Sequence, residues 1–125
     1  MQIVRTERAP LPIGPYSQAV RAGDFIFISG QVGVNPKTKA LVIGGIEAQT
    51  RQALENIKSI LDAAGSSLEE AVKVTVLLRN MKDFKKMNDV YSSYFKKNPP
   101  ARTTAQAQLP LADAFVEIDV IARSV

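Results

Sequence analysis

An α+β domain, with two helices packed on one face of a mixed β-sheet, is the fold class that this sequence of 125 residues predicts. Two stretches carry apolar residues at three- and four-residue spacing, the pattern of a helix with one buried face. Other stretches carry strand patterns, either alternating or as short β-branched runs. Turn residues separate them in the order β-β-α-β-α-β-β. No linker, repeat or low-complexity tract interrupts residues 1–125, so they read as a single domain.

Each element follows from its residues. Ile13-Gly14-Pro15 is a turn, and Tyr16 to Arg21 reads as a strand. Ala22-Gly23-Asp24 turns the chain into Phe25-Ile26-Phe27-Ile28-Ser29, a hairpin partner. That run is continuously apolar, so burial on both faces is expected. Asn35-Pro36-Lys37-Thr38-Lys39 is a loop. In Ile46–Ala64 a stripe of Ile46, Ala53, Leu54, Ile57, Ile60, Leu61 and Ala64 predicts a helix, ended by Gly65. Ser67-Leu68-Glu69-Glu70 fits a capping box on a short helical turn. Val72, Val74, Val76 and Leu78 alternate with Lys73, Thr75, Leu77 and Arg79, which is a strand with one core face. Phe84, Met87, Tyr91, Tyr94 and Phe95 form a second helical stripe from about Asp83. Pro99 requires it to stop near Asn98.

Residues 102–108 and 115–122 are the closing strands. In the last, Val116, Ile118, Val120 and Ala122 make one apolar face, expected under the helices. Phe115, Glu117, Asp119 and Ile121 make the other face, which no helix remains to cover. A mostly apolar uncovered sheet face points to an interface between copies.

Composition narrows the chemistry. The 46% hydrophobic and 22% charged content is that of an ordinary globular domain. No apolar run approaches the ~20 residues needed to span a bilayer, and residues 1–8 lack the apolar core of a signal peptide. A cytoplasmic location is therefore expected. With no Cys and no His, thiolate and serine–histidine chemistry are excluded, as are the usual metal ligands. The formal charge of +4 is mild. Lys82, Lys85, Lys86, Lys96 and Lys97 cluster, but no aromatic residues interleave as base-stacking platforms. A solvated helix face explains them more simply than nucleic acid does.

Arg102, Glu117 and Asp119 stand out because charged residues in strands tend to be paired or used. Pro99-Pro100 stiffens the approach to Arg102, whose guanidinium can grip a carboxylate at two points. The alternative is a salt bridge to Glu117 or Asp119. If the closing strands pair as a hairpin, Gln106 faces Glu117, Thr104 faces Asp119 and Arg102 faces Ile121. Arg102 and Glu117 then share a face but lie ~13 Å apart at ~3.3 Å per residue. A small ligand or a neighbouring subunit would fit that gap; Asp119 is nearer, so a salt bridge from Arg102 to Asp119 stays open.

Ile13-Gly14-Pro15-Tyr16-Ser17-Gln18-Ala19, Ile28-Ser29-Gly30-Gln31-Val32, Met87-Asn88-Asp89-Val90-Tyr91, Pro100-Ala101-Arg102-Thr103-Thr104 and Val116-Glu117-Ile118-Asp119-Val120-Ile121-Ala122 occur in this order along the chain. Together they resemble the Rid family (the YjgF or reactive intermediate deaminase family) over essentially the whole length. The resemblance implies a chorismate-mutase-like fold and a homotrimer with a central barrel, its sites in clefts between subunits. It implies hydrolysis of 2-imino acids to 2-keto acids and ammonia, without a cofactor and without a metal. It assigns Arg102 to the substrate carboxylate and Glu117 to positioning the attacking water. Tyr16, Ser29, Gly30 and Asn88 match pocket-lining positions. Thr104 stands where many relatives carry Cys, and its backbone could still contact the imine or water. Two other readings use the same sequence: an RNA-directed role through the lysine face, and a non-catalytic metabolite-binding trimer.

Overall fold

The computed structural model describes residues 1–125. Strands β1 (Gln2–Val4), β2 (Ala19–Ala22) and β3 (Phe25–Gln31) lead into helix α1 (Gly45–Ala63). Strand β4 (Ala71–Leu78), helix α2 (Phe84–Tyr94), β5 (Ala101–Gln106) and β6 (Val116–Arg123) follow. The strands form one sheet in the order β1-β2-β3-β6-β4-β5. Every pair is antiparallel except β4–β5, which is parallel. The predicted mixed sheet with two helices on it is thus observed. No helix is long and apolar enough to cross a membrane.

The core lies between the helices and one sheet face. Helix α1 buries Ile46, Ala53, Leu54, Ile57, Ile60 and Leu61, six of the seven residues of the predicted stripe, and Ala64 just beyond its end is also buried. Opposite them lie Val116, Ile118, Val120 and Ala122 of β6, together with Val74, Val76 and Leu78 of β4. Each large aliphatic side chain buried here contributes about 1.5–3 kcal/mol relative to exposure. Gly65, with φ 77°, follows α1 as the sequence suggests. Helix α2 ends at Tyr94, earlier than the proline alone requires.

Several expectations are corrected. The closing strands are not a hairpin. β5 pairs with β4, Arg102 opposite Val74 and Thr104 opposite Val76, while β6 lies between β3 and β4. Helix α2 carries the chain from β4 to a parallel β5, and such a connection needs a crossover of about a dozen residues. The chain then passes over the end of β4 to reach β6, so the register of Gln106 with Glu117 does not exist. β3 is not buried on both faces: Ile26 and Ile28 are buried, whereas Phe25 and Phe27 are 41% and 42% exposed. Residues 16–18 precede β2 rather than belong to it. Ser67 makes no side-chain capping bond to the turn at Leu68–Glu70. Strand β1 has no counterpart in the sequence reading.

Three buried amides hold the loops. Gln18 accepts from Thr6 N and donates to the carbonyls of Thr6, Ala9 and Pro10. Asn56 of α1 donates to the carbonyls of Val32 and Val34. Gln49 accepts from Phe115 N at 2.7 Å and donates to Asp113 O at 3.2 Å, which fixes the entry to β6. A side-chain amide suits this work because it both donates and accepts.

Helix α1 reaches these loops because Gly33 has no side chain. A Cβ there would lie 2.6 Å from Gln49 Cα and 2.9 Å from its carbonyl oxygen. Backbone atoms cannot step aside as a side chain can. Gly33→Ala should therefore cost about 1–3 kcal/mol, as overpacking does. Thermal unfolding should show a Tm lowered by several degrees, and an unchanged Tm would contradict the close approach.

Candidate functional site

The predicted site residues fall into two groups. Residues paired across a sheet share a face, so Arg102, opposite buried Val74, points to the helix-covered side. β5 is an edge strand, and α2 lies above it. Phe84, Asn88 and Tyr91 recur at four- and three-residue spacing and present one stripe to the arginine. Arg102 donates from Nη1 to Asn88 Oδ1 at 2.8 Å. Its guanidinium carbon lies 4.7 Å from the centre of the Tyr91 ring and 5.7 Å from that of Phe84, within the range of cation–π attraction. Thr104, on the same face, buries its hydroxyl without a hydrogen-bond partner.

Glu117 pairs with Leu77 and so projects from the opposite face. Arg102 and Glu117 are separated by β4 and by three residues along it, about 14 Å at ~4.8 Å per strand and ~3.3 Å per residue. The shared face expected from the hairpin register is thereby overturned. So is the salt bridge within one chain: no carboxylate pairs with Arg102.

Gly30 accompanies Glu117. The β3–β6 register shifts between Ile28 and Gln31, a bulge that places Ser29 and Gly30 across from Asp119. A Cβ on Gly30 would come within 2.5 Å of Glu117 Oε2 and 2.9 Å of its Cγ. The carboxylate thus rests on bare backbone. Ser29 donates through Oγ to Ser17 O at 2.6 Å and through N to Gln18 O at 2.9 Å, tying the bulge to the segment after Tyr16. Tyr16 is 49% exposed, and its hydroxyl lies 3.5 Å from the Ile13 amide. Ser29, Gly30 and Glu117 therefore lie together, with the backbone just after Tyr16 tied to them, while Arg102, Asn88 and Thr104 gather at the other face.

Burial raises the Glu117 carboxyl above its ordinary pKa, and the negative Asp119 beside it adds to the rise. Burial also raises Asp119, although a hydrogen bond from Thr75 and the charge of Lys73 oppose it. No three carboxylates gather to hold a metal ion. The sequence reading missed Tyr91 and Phe84 as neighbours of Arg102, taking them only as core stripe. Their spacing with Asn88 is the signal that could have found them.

Residues 6–124 match the family model described as Endoribonuclease L-PSP. The chain belongs to the Rid family. A RutC family protein of Pyrococcus horikoshii is 53% identical over 97% of this chain and 96% of its own. The 2-iminobutanoate/2-iminopropanoate deaminase of Mus musculus is 45% identical over 97% of this chain and 90% of its own. Among solved structures, E. coli TdcF with bound serine superposes with a TM-score of 0.94 at 38% identity, covering all of both chains. Membership in the Rid family accounts for the ordered motifs and for the fold. It leaves the roles of single residues to be argued from their chemistry.

Two tests follow from the Glu117 side. Gly30→Ala should leave the fold intact, because the clash is with a side chain that can turn away. It should displace the Glu117 carboxylate and reduce any Glu117-dependent activity about tenfold or more. Wild-type turnover in Gly30→Ala would show that the resting place is immaterial. The second test uses pH. As pH rises past the ordinary carboxyl range, the unfolded chain loses the Glu117 proton first while the folded chain keeps it, so stability falls until the raised folded value is passed. Glu117→Gln should remove that fall. Its Tm should match wild type at about pH 3.5 and exceed it at about pH 7. A lower Tm at neutral pH would contradict the burial penalty.

Proposed function

We propose that this protein hydrolyses small 2-imino acids to 2-keto acids and ammonia. We further propose that the site forms between copies of the chain, with Arg102 from one and Glu117 from the next. The observation that carries this reading is Arg102 itself: a half-buried guanidinium, held by Asn88 and two rings, with no carboxylate partner in its own chain. Such a cation suits a substrate carboxylate. The names of the mouse and Dermatophagoides farinae relatives, both 2-iminobutanoate/2-iminopropanoate deaminases, support the reaction.

The chemistry asks little of the protein. The protonated imine carbon is already electrophilic. Water adds to it and gives a proton to the Glu117 carboxylate, forming a carbinolamine. That proton passes to the amino nitrogen, the C–N bond breaks and ammonia leaves, while the hydroxyl gives its proton to the regenerated Glu117 carboxylate and becomes the carbonyl of the 2-keto acid. Glu117 then passes that proton to the ammonia, which departs as ammonium. A carboxyl raised above its ordinary pKa is a better base for this than an exposed one. Positioning supplies the rest.

The open sheet face supports the same reading. The uncovered sheet face carries Ile3, Phe25, Phe27, Leu77 and Ile121. A homotrimer would bury that face in a central barrel and bring edge strand β5 of one copy toward the Glu117 face of its neighbour. The RNA-directed alternative would rely instead on Lys82, Lys85, Lys86, Lys96 and Lys97, all exposed.

Arg102→Ala and Glu117→Gln should each lower imine hydrolysis about a hundredfold or more in a coupled keto-acid assay. Co-expressed with each other, the two inactive chains should regain activity, because mixed assemblies contain sites with both native residues. Full activity in Arg102→Ala would sink the clamp. Failure of the mixture to recover would sink the shared site. Solution scattering should give three times the 13.6 kDa chain mass.

A further inference from the structure

We propose that Tyr91 is a positioning residue for Arg102, its ring setting the plane in which the guanidinium is presented to a carboxylate. This rests on the carboxylate-binding role given to Arg102 above.

The geometry points to the ring. Asn88 Oδ1 takes one N–H of Arg102 and holds one end of the fork. A single hydrogen bond leaves the guanidinium free to rotate about it. Tyr91 removes that freedom, because the guanidinium carbon sits 4.7 Å from the ring centre. Phe84, at 5.7 Å, adds a second aromatic contact. All three contacts come from one stripe of α2, so the helix acts as a jig for the cation on β5. Tyr91 is itself closely packed. It is 6% exposed, and its ring stacks on Phe95 with centroids 4.6 Å apart. Its buried hydroxyl makes no hydrogen bond of normal geometry. Burial raises the hydroxyl's pKa and the nearby Arg102 pulls against that rise, so Tyr91→Phe is the variant that separates ring from hydroxyl. A fork presented in a fixed plane can meet both oxygens of a carboxylate, whereas a swivelling one meets them only part of the time.

The test replaces the ring with flexible or branched aliphatic side chains that keep part of its volume. Tyr91→Met and Tyr91→Leu remove it; Tyr91→Phe keeps it. Binding of 2-oxobutanoate, a carboxylate of the product class, is measured by calorimetry, and Arg102 Nε–Hε relaxation by NMR. Tyr91→Met should weaken 2-oxobutanoate about fivefold to tenfold, the range expected for a partly desolvated cation–π contact. It should also make Arg102 Nε–Hε mobile. Tyr91→Phe should stay within about twofold of wild type with a rigid Nε–Hε. In an Arg102→Lys background, Tyr91→Met should have a much smaller effect, since no fork remains to be oriented. Equal losses in Tyr91→Phe and Tyr91→Met would overturn the proposal. So would a rigid Nε–Hε in both Tyr91→Met and Tyr91→Leu, or an undiminished loss in the Arg102→Lys background. If wild type binds no 2-oxobutanoate, the reading of Arg102 as a carboxylate clamp fails, and Nε–Hε mobility alone decides whether the ring sets the cation.

Discussion

Strand parity governs this molecule. β4 buries Val74, Val76 and Leu78, and every residue paired with them must point the same way. On one side the partners are Val120, Ile118 and Val116, which complete the core. On the other they are Arg102, Thr104 and Gln106. A polar row can occupy the core-facing side of β5 only because β5 is an edge strand, where the core runs out. The parity that packs β6 thus also delivers a cation to the rim of the helix layer. By the same rule Glu117, opposite Leu77, has to leave through the other face. A one-residue slip would bury Glu117 under α1 and expose Ile118, so the hydrophobic pattern holds the site's register as firmly as it holds the fold.

Much of the local structure is legible in the sequence. The α1 stripe and the two faces of β6 are fixed by periodicity within the elements themselves, and both are observed. Strand pairing depends on which distant segments meet, and no local pattern encodes that. Residues 102–108 and 115–122 are adjacent strand patterns, and adjacent strands are often hairpins. The parallel docking of β5 on β4 through α2 is the other common outcome. The continuous apolar run of β3 predicts burial on both faces, yet Phe25 and Phe27 face outward in the single chain. Their exposure reflects a face left uncovered by the chain's own helices.

The site shows the same division. Arg102, Asn88 and Glu117 were identified from residue type and motif, but their distribution over two faces was not. Tyr91 was hidden because a buried aromatic in a helical stripe is normally core, and here it is core and cation support together. The amides Gln18, Gln49 and Asn56 were also passed over. They satisfy loop carbonyls and amides that would otherwise be buried without partners, and Gln49 fixes where β6 begins.

These placements share one energetic feature. Glu117 and Asp119 sit close together, partly desolvated, on a face rich in apolar side chains. Arg102 is half-buried without an opposite charge, and the Thr104 hydroxyl beside it lacks a partner. In a single chain these groups stay short of partners: the two carboxyls are desolvated side by side, and Arg102 has only Asn88 and two rings to hold it. Each is an unfavourable choice for a monomer and a useful one for a surface that meets a second copy and an anionic ligand. In the proposed trimer, covering the open face would lower the dielectric around Glu117 further and so strengthen its basic character and its attraction for a protonated imine. A carboxylate arriving at Arg102 supplies the charge the cation lacks. The residues that destabilise the isolated chain are therefore the ones that assembly and substrate would satisfy, as expected where a fold concentrates its local violations at a working site.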